Sequence, residues 1–236
     1  MLSATPWGTK GSCTHPDFSR GLVLHICMQP SILSLYFRIN MDISSALEQL
    51  RKQLFSIHTL TEDEWIDFAA IWQPFEAKRK TILTKTGDTE RHLYFVTEGV
   101  QRGFYVGEDG REATIVFSYP FSYSGIIDSF LLQKPSRFML ETLTASSFLK
   151  TGYQQLMPLL QRYHSIETYI RKALSFTISG VLERQIELQC FSAEEKFKAL
   201  LKRSPHVLQL IPHKYLASYL GIDATTFSKL LGTVRL

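Results

Sequence analysis

Near the carboxyl end, seventeen residues gather the side chains best suited to hydrogen-bonding a polyanion: His213, Lys214, Thr225, Thr226, Ser228 and Lys229. Hydroxyls can donate or accept, a threonine also offers a methyl, and a lysine can donate to a phosphate or to a guanine edge. This is the chemistry of recognition, not of bond making. Groups for catalysis are sparse. His92 is the only histidine between Phe75 and Lys150, too few for the histidine and carboxylate cage of a metal-dependent jelly-roll enzyme. Neither a Gly-rich phosphate loop with Lys-Ser/Thr nor a Gly-x-Ser-x-Gly elbow occurs. Cys13, Cys27 and Cys190 are odd in number and far apart, which excludes a zinc ribbon or iron–sulfur spacing and suits a reducing cytoplasm. The expectation is a cytoplasmic protein that is not an enzyme and holds no metal.

Two short helices must position those polar side chains. Leu216, Ala217 and Leu220 share one helical face, and Phe227, Leu230 and Leu231 repeat the spacing in a second segment. Between them Gly221 supplies the positive φ that a sharp exit from the first helix needs, and Asp223 is placed to cap the second at the N–H of Thr225 or Thr226. The pattern is a helix-turn-helix; an ordinary helical hairpin with the same packing residues is the plainer alternative. Charge favours the first reading. The chain carries 26 Lys and Arg against 22 Asp and Glu, a formal +4, and residues 194 to 236 alone hold seven bases against three acids, the same surplus.

The 236 residues, 44% hydrophobic, are enough for one large or two modest cores. Residues 1–40 carry turn formers without apolar period and are expected to be an unstructured arm, with Met41 as the natural start; the apolar runs at 22–28 and 32–37 fall short of the ~20 residues that span a bilayer. From Met41, Leu47, Leu50, Leu54 and Ile57 mark a helical stripe, and Thr61 to Glu64 forms a capping box ahead of Trp65, Phe68 and Trp72, closed by Pro74. Alternating runs then appear at 81–84, 93–97, 100–106, 111–117 and 138–144, divided by Gly87, Gly99 and Gly107 to Gly110. They predict an antiparallel β-roll or jelly roll. A helical piece at 153–162, broken by Pro158, leads to one long helix of about 25 residues from Ser165, with Ile166, Ile170, Leu174, Ile178, Val181 and Leu188 in helical period. Ser192 to Glu195 is a second capping box. The class is α+β, divided at 41–163 for the roll, 164–190 for the connecting helix and 191–236 for the helix-turn-helix domain.

The turn with Ala217, Gly221, Phe227 and Leu230, together with the helix, β-roll, helix order from Met41, resembles the Crp/Fnr family of transcription regulators. The resemblance implies a homodimer paired along the long helix, double-stranded DNA as partner, and a sensor with a small-molecule effector. It also implies that Ala224, Thr225 and Lys229 stand at the family's main base-reading positions, where Thr225 and Ser228 offer hydrogen bonds or methyl contacts and Lys229 a donor to guanine or phosphate, while Thr226, His213 and Lys214 position the DNA backbone. The β-hairpin wing usual in the family is expected to be missing or reduced here. A DNA-free ligand-binding or interaction module is the alternative. Family members that bind a cyclic nucleotide use a Gly-Glu pair and, about ten residues on, Arg with Ser or Thr. Here Gly125 stands in the place of the glutamate and Pro135 in that of the arginine, leaving Ser136 with Arg137 or Lys134 as substitutes. A proline offers an anion neither charge nor donor. A cyclic nucleotide is therefore disfavoured as cofactor.

Overall fold

The computed structural model describes residues 30–234, with side chains from Ile43 onward. Of the unstructured arm expected over residues 1–40, residues 1–29 lie outside the described residues, and residues 30–40 are helical instead. Helix α1, Pro30–Phe55, begins eleven residues before Met41; Pro30 opens the helix, a position where a missing N–H costs nothing. Helix α2, Glu62–Ala70, carries the capping box as read: Thr61 accepts the Glu64 N–H and Glu64 accepts the Thr61 N–H at 2.8 Å.

Eight strands follow in two four-stranded antiparallel sheets. One has the order β1 (Gln73–Ala77), β8 (Ser146–Gly152), β3 (His92–Glu98), β6 (Tyr123–Ser124); the other β2 (Ile82–Thr84), β7 (Met139–Thr142), β4 (Gln101–Val106), β5 (Glu112–Ser118). Alternation sends Tyr94, Val96 and Phe148 to the inside of the roll with Ile126 and Leu140, while Leu93, Phe95 and Leu149 face outward onto α1 and α2. Both tryptophans of the α2 stripe are core: Trp65 and Trp72 pack with Phe68, whose ring meets Tyr169 edge to face. Strands β1, β6 and β8 escaped the alternation pattern. Pro74 lies in β1 and does not simply end α2, which its place at a sheet edge permits.

Helix α3 (Ile127–Leu132) bridges β6 and β7, and α4 (Tyr153–Arg162) runs through Pro158 without the expected break. Its amphipathic face, anchored by buried Leu156, holds it to the roll despite the lost N–H. Helix α5, His164–Cys190, is a single span of 27 residues. Its first turns bury Ile166 and Tyr169 against the roll. Beyond Leu174 the apolar side chains face solvent: Phe176, Ile178, Val181, Leu182 and Ile186 are each more than half exposed.

Candidate nucleic-acid interface

The carboxyl-terminal head comprises α6 (Ala193–Arg203), α7 (Val207–Leu210), α8 (His213–Leu220) and α9 (Ala224–Thr233). Ser192 and Glu195 close the second capping box on α6. Phe197, Leu200, Leu201, Val207, Leu216, Ala217, Leu220 and Phe227 form the core, continuous with Val100, Phe117 and Leu143 of the roll. At roughly 1.5–3 kcal/mol for each fully buried large apolar side chain, this cluster outweighs any single polar contact in fixing the head. α8 ends as the sequence requires: Gly221 takes φ 64°, and the N–H groups of Gly221 and Ile222 return to the carbonyls of Ser218 and Ala217 at 3.1 Å. Asp223 then accepts the Thr226 N–H at 2.8 Å and the Thr226 hydroxyl at 2.6 Å. Those two hydrogen bonds hold its carboxyl below the usual aspartate range, so the cap stays charged.

α9 is consequently pinned by its buried face and open on the other. Phe227 sits between Phe197 and His213, ring centroids 5.4 Å from each. Thr225, Ser228 and Lys229 are exposed. Of the hydroxyls, that of Thr226 is spent on the cap, while Ser228 donates to the Ala224 carbonyl at 2.9 Å and keeps its acceptor lone pairs outward. His213 and Lys214 are exposed at the start of α8, the Lys214 ammonium 4.7 Å from the Tyr215 ring. The six polar residues thus come together around α8 and α9. Such an array can donate to phosphates from one helix start and offer donors, acceptors and a methyl from the second helix to a groove.

The three sensor residues are placed differently. Gly125, at φ 138°, lies so close to β3 that a Cβ would stand 3.3 Å from the His92 carbonyl. Ser136 is buried and its hydroxyl is occupied by Phe138, donating to the carbonyl and accepting the N–H. Arg137 is exposed, its guanidinium 5.9 Å from the Tyr105 ring. The segment is tied down from within by Glu90, buried and unremarked in the sequence, which accepts the Ile126 N–H at 3.3 Å and the Arg91 and His92 N–H groups at 3.0 and 3.2 Å, as well as the Thr84 hydroxyl. Burial pushes its carboxyl up, against the opposing pull of those hydrogen bonds.

A second buried acid also escaped sequence reading. Glu187 of α5 accepts Arg184 at 2.7 Å and Arg203 of α6, while Arg184 also donates to the Tyr219 carbonyl and lies 4.2 Å from that ring. Burial alone would raise the Glu187 carboxyl, but the Arg203 and Arg184 hydrogen bonds prevail and hold it below the usual range. Its signal was there only as an acid amid the apolar period of α5.

A roll with helical cover, one long helix with an exposed apolar stripe, and a capped helix-turn-helix define a roll-plus-head architecture. No family model matches the chain. The regulatory protein HlyX of Actinobacillus pleuropneumoniae is 26% identical over 192 residues, 76% of this chain and 79% of that protein. Among solved structures, FixK2 from Bradyrhizobium japonicum superposes with a TM-score of 0.62 at 14% identity, over 69% of this chain and 83% of that one. The regulator CLP of Xanthomonas campestris, described as c-di-GMP responsive, gives 0.56 at 18% identity over 73% and 90%. A Eubacterium rectale protein described as a transcriptional regulator of the Crp/Fnr family gives 0.57 at 15% identity over 73% and 82%. The chain has the Crp/Fnr fold, as its helix-turn-helix residues and its helix, β-roll, helix order implied.

Proposed function

We propose that this chain is a DNA-binding transcription regulator of Crp/Fnr type that acts as a homodimer in the cytoplasm. The observation that carries the reading is the open face of α9: Thr225, Ser228 and Lys229 are exposed on a helix whose opposite side is locked by Phe227 and whose start is capped by Asp223. In that setting Thr225 and Lys229 are base-reading residues, Ser228 an acceptor at a base edge, and His213, Lys214 and Thr226 positioning contacts to phosphate. One head offers few cations, so two heads on two half-sites are the effective unit. The exposed stripe from Phe176 to Ile186 supplies the surface for pairing two copies of α5. No helix among the described residues is long and apolar enough to cross a membrane.

The sensor reading follows from the same geometry. Gly125 packs on β3, Pro135 has no donor, and the Ser136 hydroxyl is occupied, so a cyclic nucleotide would find neither its ribose carboxylate nor its phosphate cation there. Any effector of this roll is of another class, and the pocket region is equally suited to none.

A gel-shift titration against random duplex at two salt concentrations tests the central reading. Affinity should fall steeply with salt because each neutralised phosphate releases counterions. Salt-independent binding, or none, would leave the interaction-module reading in its place. Adding cyclic AMP should leave the melting temperature where it was.

A further inference from the structure

Arg102 of β4 is 2% exposed. Its Nε donates to Glu141 at 2.5 Å and its Nη2 to Glu112 at 2.5 Å, with Nη1 3.5 Å from the Thr114 hydroxyl. Rings cover both flat faces: the guanidinium carbon is 3.9 Å from the Phe104 centroid and 3.8 Å from that of Tyr215. Phe104 belongs to the roll, Tyr215 to α8, the first helix of the helix-turn-helix. Lys80, in the turn before β2, donates to the Tyr215 hydroxyl at 2.8 Å and stands 3.8 Å from Glu141, so the two cations are matched by the two carboxylates. One turn further along α8, the Ser218 hydroxyl accepts the Thr114 N–H at 3.0 Å and donates to the Glu112 carbonyl at 3.2 Å.

These contacts join roll and head at two successive turns of α8. The guanidinium is the central piece, because a planar cation can be forked by carboxylates at its edge while both faces stack; an ammonium can do only the first. Lifting the head would uncover one face of a desolvated cation and strip Tyr215 of two partners. In the joined state Thr225, Ser228 and Lys229 remain open, so the clamp leaves the recognition face free to meet DNA.

We propose that Arg102 is a positioning residue for DNA recognition: by clamping Tyr215 it sets the pose of α8 and α9 on the roll, and thereby the separation at which a dimer presents its two recognition helices. The proposal rests on the dimeric DNA-binding reading above. A fixed pose raises the effective concentration of the second head only for half-sites at the matching distance, so the clamp should appear as spacing selectivity more than as affinity for one half-site.

The test uses the full chain and Arg102→Met, Arg102→Lys, Tyr215→Leu and Tyr215→Phe. Probes are duplexes selected by the wild-type protein, rebuilt with graded half-site spacings, and a duplex with a single half-site. Arg102→Met and Tyr215→Leu should lose about tenfold or more on the best-spaced duplex and flatten the spacing profile, while single half-site affinity moves by less than about twofold. Arg102→Lys should fail to rescue, whereas Tyr215→Phe, which keeps the ring, should stay within about threefold of wild type. Hydrogen exchange on the free protein supplies a readout without DNA: the Thr114 amide should lose protection in Arg102→Met and in Tyr215→Leu. Should Arg102→Met fail to fold, Tyr215→Leu carries both measurements from the head side. An unchanged spacing profile, an equal loss on the single half-site, or a still-protected Thr114 amide would each overturn the proposal. If the wild-type chain binds no duplex at all, the regulator reading fails, and Thr114 exchange alone then decides whether Arg102 holds the head.

Discussion

Leu182→Ala is the sharpest probe of the proposed pairing through α5. Leu182 is 60% exposed on α5, flanked by Ile178, Val181 and Ile186 at 60%, 62% and 56%. Fully burying a leucine side chain is worth ~1.5–3 kcal/mol, so covering the exposed three-fifths contributes about 1–2 kcal/mol per copy. Two-fold symmetry counts each position twice, so the dimer should lose about 2–4 kcal/mol, a thirty- to several-hundred-fold rise in its dissociation constant. Folding of the protomer should hardly change, because the removed methyls touch little within the chain. Sedimentation equilibrium over a dilution series measures the first quantity and circular dichroism melting at monomeric concentration the second. A dissociation constant unchanged by Leu182→Ala would refute pairing through this stripe, and a matching drop in protomer stability would show that the side chain is packed within one copy.

Three further outcomes are expected. Lys229→Ala should weaken binding to a selected duplex by ~1–3 kcal/mol if the ammonium meets a base, with the loss confined to particular sequences; a uniform loss with a salt slope lower by about one would assign it to phosphate. Gly221→Ala places a side chain at φ 64°, where the nearest atom, Leu188 Cδ2, is at 3.4 Å and tolerable, so the cost is conformational, ~1–2 kcal/mol by thermal denaturation. Glu90 has a carboxyl raised by burial, so the folded state holds its proton more tightly than the unfolded chain. Stability from this group is therefore greatest below the ordinary glutamate range and lost as pH rises through the raised value. Glu90→Gln resembles the protonated acid, and its melting temperature relative to wild type should climb as pH rises above the ordinary glutamate range; a pH-independent difference would contradict the assignment.

The local punctuation of this chain was legible because it depends on neighbours in sequence. Thr61 with Glu64, Ser192 with Glu195, and Asp223 with Thr226 all close as their spacing required, since each involves a side chain reaching a backbone N–H three residues away. Gly221 was readable for the same reason. Strands with clear alternation appeared within a residue or two of their expected limits, whereas β8, Ser-Ser-Phe-Leu-Lys-Thr-Gly, did not announce itself. Its extended shape comes from lying between β1 and β3, two partners that sequence alone does not bring to it. Pro158 reads as a break by propensity alone; the packing of Leu156 that offsets it comes from segments distant in sequence.

Helix ends, turns, the order of elements and the polar set of α8 and α9 were thus written in the sequence, through interactions a few residues long. The burial of Arg102, Glu90 and Glu187 was not. A charged residue reads as surface until distant segments supply its counter-charges, its hydrogen bonds and its cover, and those partners lie up to 113 residues away, as Tyr215 does from Arg102. Tertiary structure alone decided that a sealed cation lies between head and roll, and that the apolar stripe of α5 is left exposed.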